Sequence, residues 1–198
     1  MVRPPSEIDR RDAVETILRD RAGALVVTGL GSPTWDVAAA GDSPLNFYLW
    51  GAMGGAAMLG LGLALAQRSR RVIVITGDGE MLMGLGSLAT IGAARPGNLS
   101  VVVLDNERYG ETGMQRSHTG RGVDLAAIAR GASFPFAATV FTGPELDAWL
   151  PTLHGGTGPV LTVVKVTTSQ PPARVPLRDG TQIKNRFREA LLGSEANA

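Results

Sequence analysis

Two short aliphatic runs, each ending in an acidic turn, constrain this chain more than any other feature. Val72-Ile73-Val74-Ile75 leads into Gly77-Asp78-Gly79-Glu80, and Val101-Val102-Val103-Leu104 leads into Asp105-Asn106-Glu107-Arg108-Tyr109-Gly110. Runs of this kind, bounded by turn residues, fit strands buried on both faces of a parallel sheet. The Leu-, Met- and Ala-rich stretch from Met81 to Ala94 predicts the crossover helix between them. A right-handed crossover leaves both strand ends at one edge of the sheet, where open α/β sheets place their ligands. Asp78 and Asn106 are therefore expected to meet there. The predicted fold class is α/β, a three-layer sandwich with a mostly parallel sheet flanked by helices.

A carboxylate, an amide oxygen and nearby backbone carbonyls are hard oxygen donors, suited to magnesium or calcium rather than zinc. Gly79 has no Cβ and lets a ligand approach the backbone. A helix starting near Met81 would turn its free N–H groups and positive dipole end to the same place, which favours a phosphate. Together these features predict a diphosphate held through a divalent cation. Magnesium fits best, because it commonly combines one or two protein ligands with phosphate oxygens. An Asp and an Asn that only terminate strands and cap turns are the competing explanation for either turn alone.

Gly-Asp-Gly, a spacer of this length and then Asn in a turn resembles the diphosphate-binding motif of thiamine diphosphate enzymes. Many members have two asparagines where this chain has Asp105-Asn106. The ligand in the family is the second of the pair, so the resemblance assigns the metal to Asp78, Asn106 and the Arg108 carbonyl. It also gives a role to Gly51-Ala52-Met53-Gly54-Gly55, which precedes a helix predicted through Gln67. There the family places a bulky apolar residue beneath the thiazolium, bending the cofactor. Met53 matches that position, and the Gly51 carbonyl and Met53 N–H would bond the aminopyrimidine edge. Without the downstream motif, the glycines would read as tight helix packing and Met53 as core filler.

The segment Tyr109 to Gly120 is polar and glycine-rich and reads as a loop covering the site. It resembles the Ser/Thr-Gly-x-Gln loop of sulfopyruvate and phosphonopyruvate decarboxylases. Cofactor contacts are expected from Gly51, Met53, Gly77, Asp78, Gly79, Glu80, Asn106, Tyr109, Gly110, Glu111 and Thr112. His118 is the catalytic candidate on this chain, although a lone loop histidine is more often solvated. Arg116, Arg121 and Arg174 are candidates for a second anionic group of a substrate, against the usual solvated role of loop arginines. His154 is assigned no role.

The chain has 198 residues, a net charge of +1 and no cysteine. The charge points to neither nucleic acid nor membrane. The missing cysteines exclude disulfides, thiolate metal sites and cysteine nucleophiles. The stretch from Met1 to Arg11 is polar and contains prolines, unlike a signal peptide, so a cytoplasmic protein is expected. The apolar stretch Gly51 to Ala66 is too short and glycine-laden for a membrane span.

In chain order the pattern predicts a surface helix over Ile8 to Arg19, a strand over Ala24 to Thr28, and a loop over Gly29 to Thr34. Gly29-Leu30-Gly31 invites a dinucleotide reading, but the third glycine is missing and Pro33 is expected to interrupt a helix start. A strand over Asn46 to Trp50, a helix over Asp124 to Arg130 and a strand over Ala137 to Phe141 follow. Next come a helix over Pro144 to Leu153 and a strand over Pro159 to Val166. Ser169 to Gly180 is a Pro-rich surface linker. It leads to a helix over Thr181 to Leu192 whose Ile183, Phe187, Leu191 and Leu192 share one side.

Residues 1–198 are thus expected to form one diphosphate-binding domain. The resemblance covers that half of the usual architecture and implies a partner subunit with the pyrimidine-binding domain and its activating glutamate, in a heterodimer, heterotetramer or larger heteromer. What it implies is a thiamine diphosphate- and magnesium-dependent decarboxylase of a small 2-oxo acid, similar to the beta subunit of sulfopyruvate decarboxylase. A carboligase of the acetolactate synthase kind and an oxidoreductase subunit use the same cofactor motifs. A non-enzymatic nucleotide-binding module is the alternative of another class, resting on Gly29-Leu30-Gly31.

Overall fold

A computed structural model of the chain describes residues 8–193 and Ala196, so most of the polar stretch read as unlike a signal peptide lies outside the described residues. The strands are β1 (Leu25–Thr28), β2 (Asn46–Tyr48), β3 (Val72–Gly77), β4 (Leu99–Asp105), β5 (Arg108–Tyr109), β6 (Gln115–Arg116), β7 (Phe136–Val140) and β8 (Val160–Lys165). Six of them form one sheet in the order β2-β1-β3-β4-β8-β7, with every neighbouring pair parallel. β5 and β6 form a separate antiparallel ribbon. The helices are α1 (Arg10–Leu18), α2 (Ser32–Ala39), α3 (Ala56–Ala66), α4 (Asp78–Met83), α5 (Ser87–Ala94), α6 (Leu125–Gly131), α7 (Gly143–Gly155) and α8 (Gly180–Leu192).

Alternation along the strands builds two cores. Val72 and Val74 join Leu25, Val27, Val101, Val103, Leu161 and Val163 on the face covered by α3, α5 and α6. Ile73 and Ile75 join Val26, Val102, Leu104 and Val164 on the face covered by α1, α2 and α7. Each such aliphatic side chain contributes roughly 1.5–3 kcal/mol through burial. Ile183 of α8 reaches the second core and Phe187 the first, so the terminal helix closes the β2 end of the sheet.

Three expectations need correction. The crossover from β3 to β4 is two helices, not one, and the first starts at Asp78 rather than near Met81. The break falls at Gly84, which packs backbone to backbone against Gly54: a Cβ on Gly54, which has φ +89°, would lie 2.7 Å from the Gly84 nitrogen. Gly29 to Thr34 is not all loop, because α2 begins at Ser32 with Pro33 in its first turn. Proline is well tolerated there, since that N–H has no helical acceptor in any case. Leu192 stands exposed on α8, whereas Ile183 and Phe187 are buried and Leu191 packs against the core. No described helix is long and apolar enough to cross a membrane.

Candidate functional site

The strand order reverses between β1 and β3, and a cavity opens at the carboxyl ends of those strands and β4. This is the crevice where doubly wound sheets bind ligands. Leu30, Ser32 and Pro33 line it from the β1 side, Gly77 to Glu80 from β3, and Asn106 and Arg108 to Thr112 from β4. Met53 and Arg10 complete the wall. Of the residues expected at a cofactor, Met53, Gly77, Asp78, Gly79, Glu80, Asn106, Tyr109, Gly110, Glu111 and Thr112 do line one cavity. Gly51 is not in its wall; it sits two residues from Met53 with φ +90°.

Asp78 is the electrical focus of the site. It is 2% exposed, and the Thr119 hydroxyl lies 3.2 Å from its Oδ2 and 2.7 Å from Asp105 Oδ1. That hydroxyl carries one hydrogen, and the shorter bond goes to Asp105. Burial first, and the Asp105 charge second, push the Asp78 carboxyl up to about 7, against hydrogen bonds from Ser117 and Thr119. Among the described residues, no cation forms an ion pair with Asp78. A divalent cation would compensate its charge, so the donor set fits magnesium: the Asp78 carboxylate, the Asn106 amide oxygen and the Arg108 carbonyl. Asn106 Oδ1 accepts the Arg108 N–H at 2.9 Å, which closes an Asx turn and leaves the oxygen a second lone pair.

Asp105, the residue that departs from the paired-asparagine pattern, has its own cation. Lys165 Nζ lies 2.7 Å from Asp105 Oδ2 and 2.8 Å from Glu107 Oε1. Glu80 turns out to bind protein. Its carboxylate accepts from the Thr76 hydroxyl at 2.9 Å, its Oε1 is buried without a hydrogen-bond partner among the described residues, and burial raises its pKa against the nearby backbone N–H groups of Gly54 and Ala56. It thus ties the turn after β3 to the glycine turn that carries Met53. Gly79 has a neighbour other than a ligand: a Cβ there would lie 2.8 Å from Tyr109 Cδ1, so the missing side chain makes room for the tyrosine ring.

His118 is exposed and is not in the cavity wall. Its Nδ1 is 2.8 Å from the Tyr109 hydroxyl, and the rings meet edge to face. It stands behind a wall residue and reaches the cavity through Tyr109. Arg116 is exposed, bonding the Gly120 carbonyl. The segment read as a covering loop is ordered by β5, β6 and two short 3-10 turns, and its Ser117 and Thr119 are buried rather than solvated. His154 lies in the last turn of α7, where burial lowers its pKa, and Arg71 bonds its carbonyl.

Residues that the sequence pattern did not single out complete the site. Arg10 pairs with the fully buried Asp36 of α2. Thr34 bonds both the Thr28 hydroxyl and the Gly29 carbonyl, which fastens the start of α2 to the end of β1. Lys165 had a usable signal: it is the one charge in the run Val160 to Val166. A lysine in a strand buried on both faces needs a partner.

Comparison with known proteins agrees with this geometry. Residues 31–164 match the family described as thiamine pyrophosphate enzyme, C-terminal TPP binding domain. Sulfopyruvate decarboxylase subunit beta of Methanothermobacter thermautotrophicus is 44% identical over 127 residues, 64% of this chain and 68% of that one. The subunit of the same name from Methanococcus maripaludis is 30% identical over 185 residues, 93% of this chain and 98% of that one. Phosphonopyruvate decarboxylase of Streptomyces viridochromogenes is 41% identical over 138 residues, and the match spans 34% of that longer chain. Benzoylformate decarboxylase of Polynucleobacter necessarius shares the fold, with a TM-score of 0.71 at 18% identity over 84% of this chain and 34% of its own. The chain belongs to the thiamine pyrophosphate enzymes, as a carrier of their C-terminal TPP-binding domain.

Proposed function

We propose that this chain is the diphosphate-binding subunit of a heteromeric 2-oxo acid decarboxylase that uses thiamine diphosphate and magnesium, with a substrate of the sulfopyruvate or phosphonopyruvate kind. The observation that carries the reading is the buried Asp78, without an ion-pair partner among the described residues, facing a cavity that Asn106 also lines. Asp78, Asn106 and the Arg108 carbonyl hold the metal, and backbone N–H groups from Tyr109 to Thr112 hold the diphosphate oxygens. The Gly51 carbonyl and Met53 N–H hold the aminopyrimidine edge, and the Met53 side chain sits beneath the thiazolium and keeps the cofactor bent. Thiamine diphosphate, when bound, supplies the electron sink for cleavage of the carbon–carbon bond. Glu80 fixes the spacing between the metal turn and the Met53 turn. His118 acts on the site through Tyr109.

A partner subunit brings the pyrimidine-binding domain and the activating glutamate. Two observations support this. A relative that matches this chain almost end to end is named as a beta subunit, while the phosphonopyruvate decarboxylase is matched over only a third of its length. The outer stripe of α3, formed by Met58, Leu59, Gly62, Leu65 and Ala66, is exposed and has no polar member. A helix apolar on all sides is normally covered. Met53 and Met83 extend that exposed surface towards the cavity.

The test is to assay the chain alone and with its co-purifying partner against a panel of 2-oxo acids, with and without an aldehyde acceptor. Carbon dioxide release by the pair, with sulfopyruvate or phosphonopyruvate preferred and the lone chain nearly inactive, is the expected result. Full activity of the lone chain would refute the split site. Carboligation or oxidation as the main outcome would move the chain to a different reaction on the same cofactor.

A further inference from the structure

Lys165 is buried at the end of β8, directly across from Asp105 in the parallel register, and the Val166 N–H bonds the Asp105 carbonyl at 3.1 Å. The same ammonium bridges Asp105 and Glu107, the two neighbours of Asn106 in sequence. Glu107 sits at φ +62°, a left-handed conformation disfavoured for a residue with a long side chain. Something must hold it there. Its N–H bonds Asp105 Oδ1 at 3.0 Å, its carbonyl accepts the Ser117 N–H at 3.0 Å, and its carboxylate meets Lys165. Burial pulls the Lys165 pKa down, but Asp105 and Glu107 outweigh it and keep the ammonium charged.

We propose that Lys165 is a positioning residue for the metal site: by gripping Asp105 and Glu107 at once it sets the left-handed turn that presents the Asn106 amide to the cation. The inference rests on the reading of Asn106 as a ligand. It also explains how the chain tolerates an aspartate beside that ligand. The added carboxylate is paired with a lysine from the adjacent strand and becomes part of the clamp.

Charge and position predict opposite results for Lys165→Met. Removing a positive charge near a cation site would, by loss of Coulomb repulsion alone, tighten magnesium binding. Loss of the clamp weakens it. The experiment titrates magnesium into the assembled heteromer at saturating thiamine diphosphate and reads the half-saturation of cofactor binding by calorimetry. Thermal unfolding of each variant confirms that it is folded. Lys165→Met is expected to raise the magnesium half-saturation by about 10–100-fold, the range found for residues that orient metal ligands. Lys165→Gln, a smaller change whose amide can still donate to one carboxylate, gives a lesser increase and serves if the methionine variant fails to fold. Half-saturation that is unchanged or lowered in the folded variant, while Asn106→Ala still abolishes binding, would overturn the clamp and leave the site intact. Undiminished binding in Asn106→Ala would remove the site itself, and the clamp with it.

Discussion

Two acidic turns stand side by side at one edge of the sheet, and among the described residues only one of them has its own cation. Asp105, the last residue of β4, shares Lys165 with Glu107 and takes a hydrogen bond from Thr119. Asp78, after β3, is equally buried and has hydroxyls but, among the described residues, no ion-pair partner, and burial and Asp105 push its carboxyl up to about 7. Local sequence does not predict this difference, since each turn places an aspartate at the end of a strand of the same type. The difference comes from the register that sets Lys165 opposite Asp105. Asp105 is completed by an ion pair within the fold, whereas Asp78 lines the cavity without one.

The strongest way to break the contrast is Asp78→Ala. We expect magnesium-dependent cofactor binding to fall by more than about 100-fold, beyond the range for residues that merely orient ligands, with the far-ultraviolet circular dichroism unchanged. Retained binding would mean that Asp78 is as structural as Asp105.

A smaller effect concerns the protein without cofactor. The folded Asp78 keeps a proton that the unfolded chain releases near 3.8, so its contribution to stability is present at low pH and is lost as pH rises towards about 7. Each unit of displacement corresponds to about 1.4 kcal/mol. Asp78→Asn should therefore be more stable than the native chain at pH 8, with a gap that is smaller at pH 5 and closes only as pH falls to the unfolded value of 3.8. Urea unfolding at the two pH values measures this, and a gap of equal size at both would contradict the assignment.

Thr119→Val sharpens the comparison by removing the hydroxyl between the two turns. A cost of about 1–3 kcal/mol is expected for leaving buried carboxylate oxygens short of a donor. Thermal unfolding reads it, and a neutral result would mean that the two turns are not coupled through Thr119.

Much of the fold was legible. The aliphatic runs of β3, β4 and β8 are buried on both faces as their composition requires, and Asp78 and Asn106 line one cavity as the crossover rule implies. The misses have physical causes. Pro33 was read as a helix breaker, yet it occupies the one turn of α2 that tolerates it. The split between α4 and α5 falls where Gly54 meets Gly84, a contact between distant segments that no local pattern encodes. Ser117 and Thr119 sit in a polar stretch that looks solvated, and their burial follows from packing against Asp78 and Asp105. Arg10 and Asp36 likewise pair across two helices, where helical periodicity gives no hint of which charge faces inward.

The most direct measurement is calorimetric titration of thiamine diphosphate into the assembled heteromer, with magnesium and then with the metal chelated. The account predicts saturable binding that disappears on chelation and returns when magnesium is restored. Binding of equal strength without any divalent cation would contradict it.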